Sequence, residues 1–253
     1  MATRRERPVL TLDVLDTTWI NPHLVEVNLG GPGFDAFECS PHTDRYTKLL
    51  FTRPAEGQGE ATVIRRTYTI RRHDPEARRL AIQFVTHGDE GYAAPWAAQA
   101  AEGDQIAMYG NSNGAYTPDP DADAHLFIGD ASAFPAIASA LEVLPMGASA
   151  VAILEVDGED HKVPLETAAD LDVRWVLREG AVPGSRLVDE VKGSILPGGR
   201  VHAFVHGELA AIRALRPHLL EERRLPAEML SISGYWRHGK NEDGFQAEKR
   251  ATR

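Results

Sequence analysis

Four consecutive residues, Arg66-Thr67-Tyr68-Thr69, combine a cation, a flat aromatic ring and two small hydroxyl groups within one predicted strand. Side chains alternate with period two along a strand, so Arg66 and Tyr68 share one face and Thr69 points to the other. A guanidinium can hold a diphosphate bidentately, a phenol can pack on a flavin ring, and a threonine can exchange a hydrogen bond with the reactive flavin nitrogen. The stretch therefore suits a flavin, with Tyr68 and Thr69 closest to the chemistry, and the alternative is an exposed basic strand.

A loop from His87 to Trp96 joins a predicted strand to a predicted helix. Backbone N–H groups at the start of a helix attract anions without help from a charged side chain. The loop can therefore hold the diphosphate of a dinucleotide, and the alternative is an ordinary capped loop.

Two short motifs in the second half of the chain follow predicted strands and open predicted helices: Gly129-Asp130-Ala131-Ser132 and Gly207-Glu208. In an open parallel sheet, ligands collect at the carboxyl ends of the strands. Gly129 permits close backbone approach, whereas Asp130 or Ser132 can instead cap the helix. The Gly-x-Gly-x-x-Gly fingerprint of dinucleotide-binding domains does not occur in this stretch.

The last predicted strand ends in two adjacent aromatic residues, Tyr235 and Trp236, followed by Arg237. Two aromatic rings after a glycine can pack in a core, or they can cover a flavin or nicotinamide site. The sequence offers no persuasive His and Asp partners for a nucleophilic serine, and its ten histidines show no metal-binding spacing. We therefore expect no resident metal.

The order of the predicted elements divides the chain into two domains of different architecture. In residues 1–117, apolar residues alternate in short runs separated by turn signals, which predicts an antiparallel β barrel with one helix over Tyr92–Ala101. Residues 118–124 are rich in Pro and Asp and predict a linker. In residues 125–238 strands alternate with helices, which predicts a parallel α/β sheet. The charged residues 239–253 predict a frayed or partner-dependent tail.

Charge and composition argue against several classes of protein. The net charge of −10 argues against a general nucleic-acid binder, although it leaves room for a local basic site. A single cysteine, Cys39, rules out a disulfide framework or a cluster built on several thiolates, and it fits a reducing cytoplasm. No apolar run is long enough to span a membrane.

Taken in order, these motifs resemble the siderophore-interacting protein family, flavin-dependent ferric-siderophore reductases related to ferredoxin reductases. The resemblance covers nearly the whole chain, from Asp44 to Gly239. The matching stretches are Tyr46–Phe51, Arg66–Arg71, Phe84–Gly88, Trp96, Gly103-Asp104, Gly110 with Gly114, Leu141–Pro145, Gly207-Glu208, the run of Arg213, Arg216, His218 and Leu219, and Ser233–Arg237.

The family implies an FAD-binding barrel over residues 1–117 followed by a nicotinamide-binding domain over residues 125–238 that takes NADH or NADPH. The implied FAD contacts are Arg66, Thr67, Tyr68 and Thr69, then Val85, Thr86 and His87 along the flavin, and Ala93, Ala94 and Trp96 in the phosphate loop. The expected contacts of the nicotinamide site are Gly129, Asp130, Ser132, Gly207 and Glu208, and Tyr235 and Trp236 are expected to cover either the flavin or the nicotinamide.

Two departures from the family pattern concern these contacts. The family usually has Gly-Pro-Ala-Ser where this chain has Gly91-Tyr92-Ala93-Ala94, so a hydroxyl is lost and the backbone is left to contact the phosphate. The Gly-Asp-Glu-Thr of the family is here Gly129-Asp130-Ala131-Ser132, in which the Ser132 hydroxyl can replace that of the threonine.

The sequence therefore predicts an NAD(P)H-dependent flavoprotein that reduces ferric siderophores. Lys48, Arg65 and Arg237 are expected at a basic mouth that concentrates an anionic siderophore, and Lys48 shares its strand face with Tyr46 and Leu50. One alternative is a flavin reductase that works with a ferredoxin-like protein or another acceptor. Another is a siderophore-binding protein without turnover. We expect a cytoplasmic monomer.

Overall fold

The computed structural model describes residues 7–55, 60–86, 91–240 and 244–245. The chain divides into two compact units, Met1–Ala115 and Tyr116–Arg253. None of the helices in the described ranges is long and apolar enough to cross a membrane.

The first unit is built from six antiparallel strands. Their bounds are β1 (Val9–Asn21), β2 (Leu24–Gly30), β3 (Tyr46–Arg53), β4 (Thr62–Asp74), β5 (Arg79–Val85) and β6 (Gln105–Tyr109). They close into a barrel in the order β1-β2-β5-β4-β3-β6, and one α-helix, α1 (Ala93–Gln99), follows β5. The predicted antiparallel barrel with one helix is confirmed.

Alternation of side chains accounts for the barrel. Along β3, Thr47, Leu49 and Phe51 are buried, whereas the residues between them are not. The same period in the other strands sends apolar side chains inward, where Ile82 and Phe84 are fully buried. The interior is therefore a packed core, and ligands must bind on the outside of this barrel or at its ends.

The second unit is a parallel sheet with helices on both faces. Its strands are β7 (Ala124–Asp130), β8 (Ser149–Val156), β9 (Asp170–Leu177), β10 (Val201–Glu208) and β11 (Leu230–Trp236), and its helices are α2 (Phe134–Glu142), α3 (Ser185–Gly193) and α4 (Leu209–Pro217). The strand order is β11-β10-β7-β8-β9, and all pairs are parallel. Helix α2 packs in one apolar core and α3 and α4 pack in another, on opposite faces of the sheet. The predicted parallel α/β sheet is confirmed.

The stretch predicted as a linker, residues 118–124, lies on the second unit. Tyr116, just before it, is buried, and its ring centroid is 4.9 Å from that of Phe204. The backbone N–H of Asp119 donates to Nδ1 of His202 at 2.9 Å. The connection therefore packs against the amino ends of the strands, because its aromatic and polar groups find partners there.

Phe245 belongs to the tail that the sequence predicts to fray, yet it is only 2% exposed. Burial of a phenylalanine side chain stabilises by about 1.5–3 kcal/mol, so burial favours the position of Phe245 itself. Of the residues beyond Lys240, the structure describes Gly244 and Phe245, and the rest of the predicted tail lies outside the described residues.

Candidate functional site

Arg66 and Tyr68 share one face of β4, while Thr69 points to the opposite face, as the period of a strand requires. The ring centroid of Tyr68 lies 4.5 Å from that of Phe84 on β5. The Arg66 guanidinium lies 5.6 Å from the ring centroid of Tyr92, the residue before α1. The strand motif is thus joined to β5 on one side and to the start of α1 on the other.

Aromatic rings fix α1 against the barrel strands. The ring centroid of Trp96 is 6.1 Å from that of Phe51 and 5.8 Å from that of Phe84, in edge-on geometry at both contacts. Tyr92 lies 6.5 Å from Phe51. Edge-to-face aromatic pairs at these distances contribute beyond the area that they bury, so this contact is specific in orientation.

The remaining predicted FAD contacts lie around the same cluster. Ala93 and Ala94 form the first turn of α1 and are buried, so they can offer a ligand only their backbone. Val85 ends β5, and Thr86 follows it; both are half-buried. His87 lies outside the described residues.

The groups gathered around Arg66 fit FAD. Arg66 and Tyr68 are each half-buried, so neighbours orient them while part of each surface stays accessible. One nitrogen of the Arg66 guanidinium donates to the Arg65 carbonyl at 3.0 Å, and a guanidinium carries five N–H donors in a planar fork that suits a diphosphate. Tyr68 and Trp96 supply flat apolar surface of the kind that packs against an isoalloxazine. The strand motif and the loop before α1, far apart in sequence, therefore form one cluster.

Three cations line the outward face of the barrel wall. Lys48 Nζ donates to Thr67 Oγ1 at 2.6 Å, and Arg65 Nε donates to the Tyr109 hydroxyl at 2.9 Å. The guanidinium of Arg7 lies 5.5 Å from the centroid of the same Tyr109 ring. We call Arg7, Lys48 and Arg65 the basic strip. Arg237, the third predicted substrate cation, follows β11 in the second unit.

In the second unit, three predicted motifs meet at one carboxylate. Asp130 ends β7 and is buried. Its Oδ1 accepts from Ser132 N at 2.9 Å and from Ser132 Oγ at 2.6 Å, and its Oδ2 accepts from Glu208 N at 2.7 Å and from Trp236 Nε1 at 2.9 Å. Burial raises the pKa of Asp130 above its ordinary value, against these four hydrogen bonds, which lower it. The carboxyl ends of β7, β10 and β11 are therefore tied together.

Two glycines allow the strand ends to lie close together around that carboxylate. Gly207 has φ of 150°, and a Cβ placed on it would lie 2.5 Å from Asp130 Oδ2. A Cβ on Gly129 would lie 2.7 Å from the carbonyl oxygen of His206. Side chains at these positions would separate the strand ends, so the glycines serve the contact within the protein.

The alternative interpretation, in which Asp130 or Ser132 caps α2, is wrong. Helix α2 begins at Phe134 after Ala133, and no side chain accepts a hydrogen bond at its cap. A tight turn instead returns Ala133 N to the carbonyl of Asp130 at 2.9 Å, which sends the Asp130 carboxylate toward the neighbouring strands.

Glu208 fixes two further segments at this edge. One oxygen of its carboxylate accepts from the backbone N–H groups of Ala210 and Ala211 and so caps α4. The other accepts from the backbone N–H of His238 at 3.2 Å, directly after β11. Tyr235 packs against His206, with ring centroids 4.8 Å apart.

The sequence argument missed Glu155, which lies near the end of β8 and is buried. Its carboxylate accepts from Gly184 N at 2.7 Å and from Leu187 N at 3.2 Å, and so holds the start of α3. Burial raises the pKa of Glu155. One acidic residue in the otherwise apolar strand Ser149–Val156 was the available signal.

Two family models match the chain, one for each unit. Residues 13–115 match the model described as "Siderophore-interacting FAD-binding domain", and residues 122–239 match the model described as "Siderophore-interacting protein". Together they cover most of the sequence and leave out residues 1–12, 116–121 and 240–253.

Similar proteins align over nearly the full chain. An uncharacterised protein of Mycobacterium tuberculosis is 42% identical over 96% of this chain and 95% of its own length. The ferric vibriobactin reductase ViuB of Vibrio cholerae is 28% identical over 94% of this chain and 93% of its own. The solved structure of a siderophore utilization protein from T. fusca superposes with a TM-score of 0.80 and 32% identity, covering 93% of this chain and 96% of that one.

Proposed function

The chain belongs to the siderophore-interacting protein family, and from this premise we propose that it is a flavoprotein reductase that passes electrons from NADH or NADPH through FAD to a ferric siderophore, releasing ferrous iron. The observation that carries the proposal is the cluster of Arg66 and Tyr68 with the residues that open α1, within the FAD-binding domain of this family. The similarity to a ferric vibriobactin reductase supports the type of reaction.

In this proposal the barrel binds the flavin through a few side chains. Arg66 holds the diphosphate, together with the backbone of Ala93 and Ala94 at the start of α1. Tyr68 packs on the ring, and Thr69, which points to the other face of β4, offers its backbone N–H and hydroxyl to the reactive nitrogen at the edge of the strand. FAD, when bound, accepts a hydride and passes on single electrons, which no protein side chain here can do.

Residues around this core complete the flavin site. Val85, Thr86 and His87 line one side of the ring in the proposal, and Trp96 closes the other end of the cluster. Thr67 acts from the opposite face of β4, where it accepts the hydrogen bond from Lys48. The barrel thus orients the ring on one face of a strand and presents charge on the other.

The carboxyl edge of the sheet is the proposed site for reduced nicotinamide. Its border is formed by Gly129, Asp130, Ser132, Gly207, Glu208, Tyr235 and Trp236. This position agrees with the general location of ligands in open parallel sheets. The groups of this border shape the site, because several of their polar atoms are already hydrogen-bonded to one another.

The basic strip is the proposed contact for an anionic ferric siderophore. Lys48 and Arg65 are held by Thr67 and Tyr109, so both charges are oriented before a ligand arrives. Together with Arg237 they attract anions to a protein whose net charge is −10. Iron enters as part of the substrate, and its ligands come from the siderophore.

Two alternatives remain distinct from this proposal: a flavin reductase that serves a ferredoxin-like protein or another acceptor, and a siderophore-binding role without turnover. A ferredoxin-like protein is also an alternative electron donor. We propose a cytoplasmic monomer, which agrees with the free thiol of Cys39.

An anaerobic titration of the purified flavoprotein tests the proposal. The protein should show flavin absorbance, NADH or NADPH should bleach it, and a ferric siderophore should restore it while an iron(II) chelator develops colour. A colourless protein that does not take up added FAD would contradict the flavoprotein assignment. A flavin that is bleached but never reoxidised by ferric siderophores would point to another acceptor.

A further inference from the structure

One tyrosine on the outward wall of the barrel contacts two cations of the basic strip. The Tyr109 hydroxyl accepts a hydrogen bond from Arg65 Nε at 2.9 Å. The Cζ atom of Arg7 lies over the same ring, 5.5 Å from its centroid. Arg65 is on β4 and Arg7 precedes β1, so the two arginines come from segments that are far apart in the chain. Tyr109 is therefore the group that brings them together.

The strand register places Lys48 on the same wall. Leu50 on β3 pairs with Arg65 on β4 and with Ala107 on β6. Side chains alternate along a strand, so the next residues on this face, in one direction from the Leu50–Ala107 pair, are Lys48 on β3 and Tyr109 on β6. The three cations of the basic strip thus lie on one wall around Tyr109.

The backbone of Tyr109 is fixed from both sides. Thr47 Oγ1 on β3 donates to the carbonyl oxygen of Tyr109 at 3.1 Å. On the other side Tyr109 pairs with Val9 of β1, and Gly110 N donates to the carbonyl oxygen of Pro8 at 2.8 Å. The Tyr109 side chain is also half-buried. Because the barrel fixes the position of this ring, the ring can orient the exposed arginines that touch it.

The wall around Tyr109 carries cations without carboxylates. No residue of β3, of residues 63–67 or of Ala107–Tyr109 is acidic. An arginine side chain loses rotamer freedom when it binds a ligand, and one that a neighbour already holds loses less. A hydrogen bond to Nε also leaves most of the five N–H groups of a guanidinium for a ligand. Two arginines held in this way favour a ligand with several negative charges.

We propose that Tyr109 is a positioning residue of the siderophore site, which holds Arg65 through its hydroxyl and Arg7 through its ring and so raises the affinity for ferric chelates of high negative charge. This inference rests on the proposed function. A ferric tris-catecholate is a trianion, whereas a ferric tris-hydroxamate is neutral. Tyr109 acts through the charges of the two arginines, so it strengthens the binding of the first class and leaves that of the second unchanged.

The variant Tyr109→Phe tests the inference, because it removes the hydroxyl and keeps the ring beneath Arg7. The matched control is Tyr46→Phe, an exposed tyrosine of β3 whose hydroxyl takes no part in the hydrogen bonds of Lys48 and Arg65. Gallium(III) forms the same chelates as ferric iron but is not reduced. Calorimetric titrations with a gallium tris-catecholate and a gallium tris-hydroxamate therefore give affinities without turnover.

Tyr109→Phe should bind the gallium tris-catecholate about threefold to fivefold more weakly than the wild type, which is the upper range for one partly exposed charge. KM for the matching ferric chelate should rise by the same factor. Affinity for the neutral tris-hydroxamate, flavin content and kcat should stay those of the wild type, and Tyr46→Phe should match the wild type in every measurement.

A double-mutant cycle separates positioning from direct contact. In an Arg65→Ala background, Tyr109→Phe should cause no further loss, because the hydroxyl has no arginine left to hold. Tyr109→Leu removes the ring as well and should weaken tris-catecholate binding about tenfold, since two charges then lose their orientation. Adding Arg7→Ala to Tyr109→Leu should cost less affinity than Arg7→Ala costs in the wild type.

Equal affinity of Tyr109→Phe and the wild type for the tris-catecholate would overturn the inference. So would an equal loss for both chelates, or a further loss in the Arg65→Ala background, which would mean that the hydroxyl contacts the chelate itself. A wild type that binds only the neutral chelate would also overturn it. These outcomes leave the proposed reductase intact. If the wild type binds neither chelate, while NADH or NADPH still bleaches the flavin, the siderophore part of the proposed function fails together with the inference.

Discussion

The two candidate sites of this protein differ in whether their polar groups stay accessible or are hydrogen-bonded within the protein. Around Arg66 on β4, a cation and a phenol are oriented by aromatic neighbours and keep part of their surface accessible. At the carboxyl edge of the sheet, Asp130 accepts four hydrogen bonds from the chain itself. The polar groups of the barrel site keep accessible surface for a ligand, whereas the carboxylate at the sheet edge already has its hydrogen-bond donors within the protein. This difference agrees with the proposal of a bound flavin in the barrel and a transient coenzyme at the sheet edge.

The largest expected effect is loss of flavin on replacement of Arg66. Arg66→Ala removes the proposed diphosphate contact, and a charge-assisted bidentate contact of this kind corresponds to about tenfold to a hundredfold in affinity. We therefore expect purified Arg66→Ala to carry little FAD, as measured by the absorbance ratio at the flavin and protein maxima.

The matched control for that change is Arg53→Ala, because Arg53 is an exposed arginine on the neighbouring strand β3. It should keep the flavin content of the wild type. Equal flavin content in the two variants would show that the half-buried position of Arg66 does not contribute to flavin binding. The contrast between the barrel site and the sheet edge would then have no support from the barrel.

The next effect concerns the sheet edge, where the prediction is a loss of stability. In Gly207→Ala the new Cβ would lie 2.5 Å from Asp130 Oδ2, on a backbone with φ of 150°. Forcing a methyl group into such a contact costs about 1–3 kcal/mol of unfolding free energy. Chemical denaturation followed by intrinsic fluorescence measures this cost.

Gly193→Ala is the control for Gly207→Ala. A Cβ on Gly193, the last residue of α3, would have no heavy atom within 4 Å, so stability should stay the same or rise slightly. If Gly207→Ala proved as stable as Gly193→Ala, the sheet edge would have to be looser than its four hydrogen bonds imply.

A smaller effect is expected at the basic strip. Lys48→Ala should raise KM for an anionic ferric siderophore about fivefold at low salt and leave flavin content unchanged, because a partly exposed charge contributes up to about 1 kcal/mol. Salt should weaken the wild type more than the variant, since ions screen the charge that the variant lacks. Lys192→Ala, on an exposed position of α3, should behave like the wild type. An unchanged KM in Lys48→Ala would mean that Lys48 is a solvated surface residue that does not contact the siderophore.

The smallest effect is a pH dependence of the second unit. His125 is buried, and burial lowers its pKa; the neighbouring His202 lowers it further, while Asp119 raises it. A folded-state pKa below the unfolded value of about 6.5 means that folding favours the neutral ring. The contribution of His125 to stability is therefore complete above about pH 6.5 and is lost as the pH falls through the folded-state pKa.

Denaturation at pH 5 and pH 8 measures this dependence. The difference in stability between the two values should be smaller in His125→Phe than in the wild type, and unchanged in His238→Phe, whose side chain is exposed. The same pH dependence in both variants would remove His125 as its source.

The same contrast explains what the sequence could predict. Arg66 and Tyr68 are two residues apart on one strand, so the period of the strand alone places them on one face. Asp130 looked like a helix cap because local rules consider only the residues that follow it. Its partners Glu208 and Trp236 are 78 and 106 residues away, and no local pattern connects them. Alternation and helical periods therefore predicted both folds, but not which polar groups the fold would satisfy.

Two further residues show the same limit of prediction from local sequence patterns. Glu155 lies in an apolar strand, and its role depends on the start of α3, about thirty residues later in the chain. Phe245 lies in a charged tail, where composition predicts fraying, yet it is buried. In each case a single residue differs in polarity from the rest of its segment, and a prediction averaged over that segment misses it.

The packing of Tyr116 and Asp119 on the second unit has a practical consequence for anyone who wishes to separate the halves. A Pro- and Asp-rich connection would normally invite limited proteolysis, but a protease needs several consecutive residues in extended, accessible form. Here the ring contacts of Tyr116 and the hydrogen bond from Asp119 to His202 keep the connection on the sheet. A recombinant second half should therefore begin before Tyr116, since a start at residue 125 would strip the amino ends of β7 and β10 of their cover.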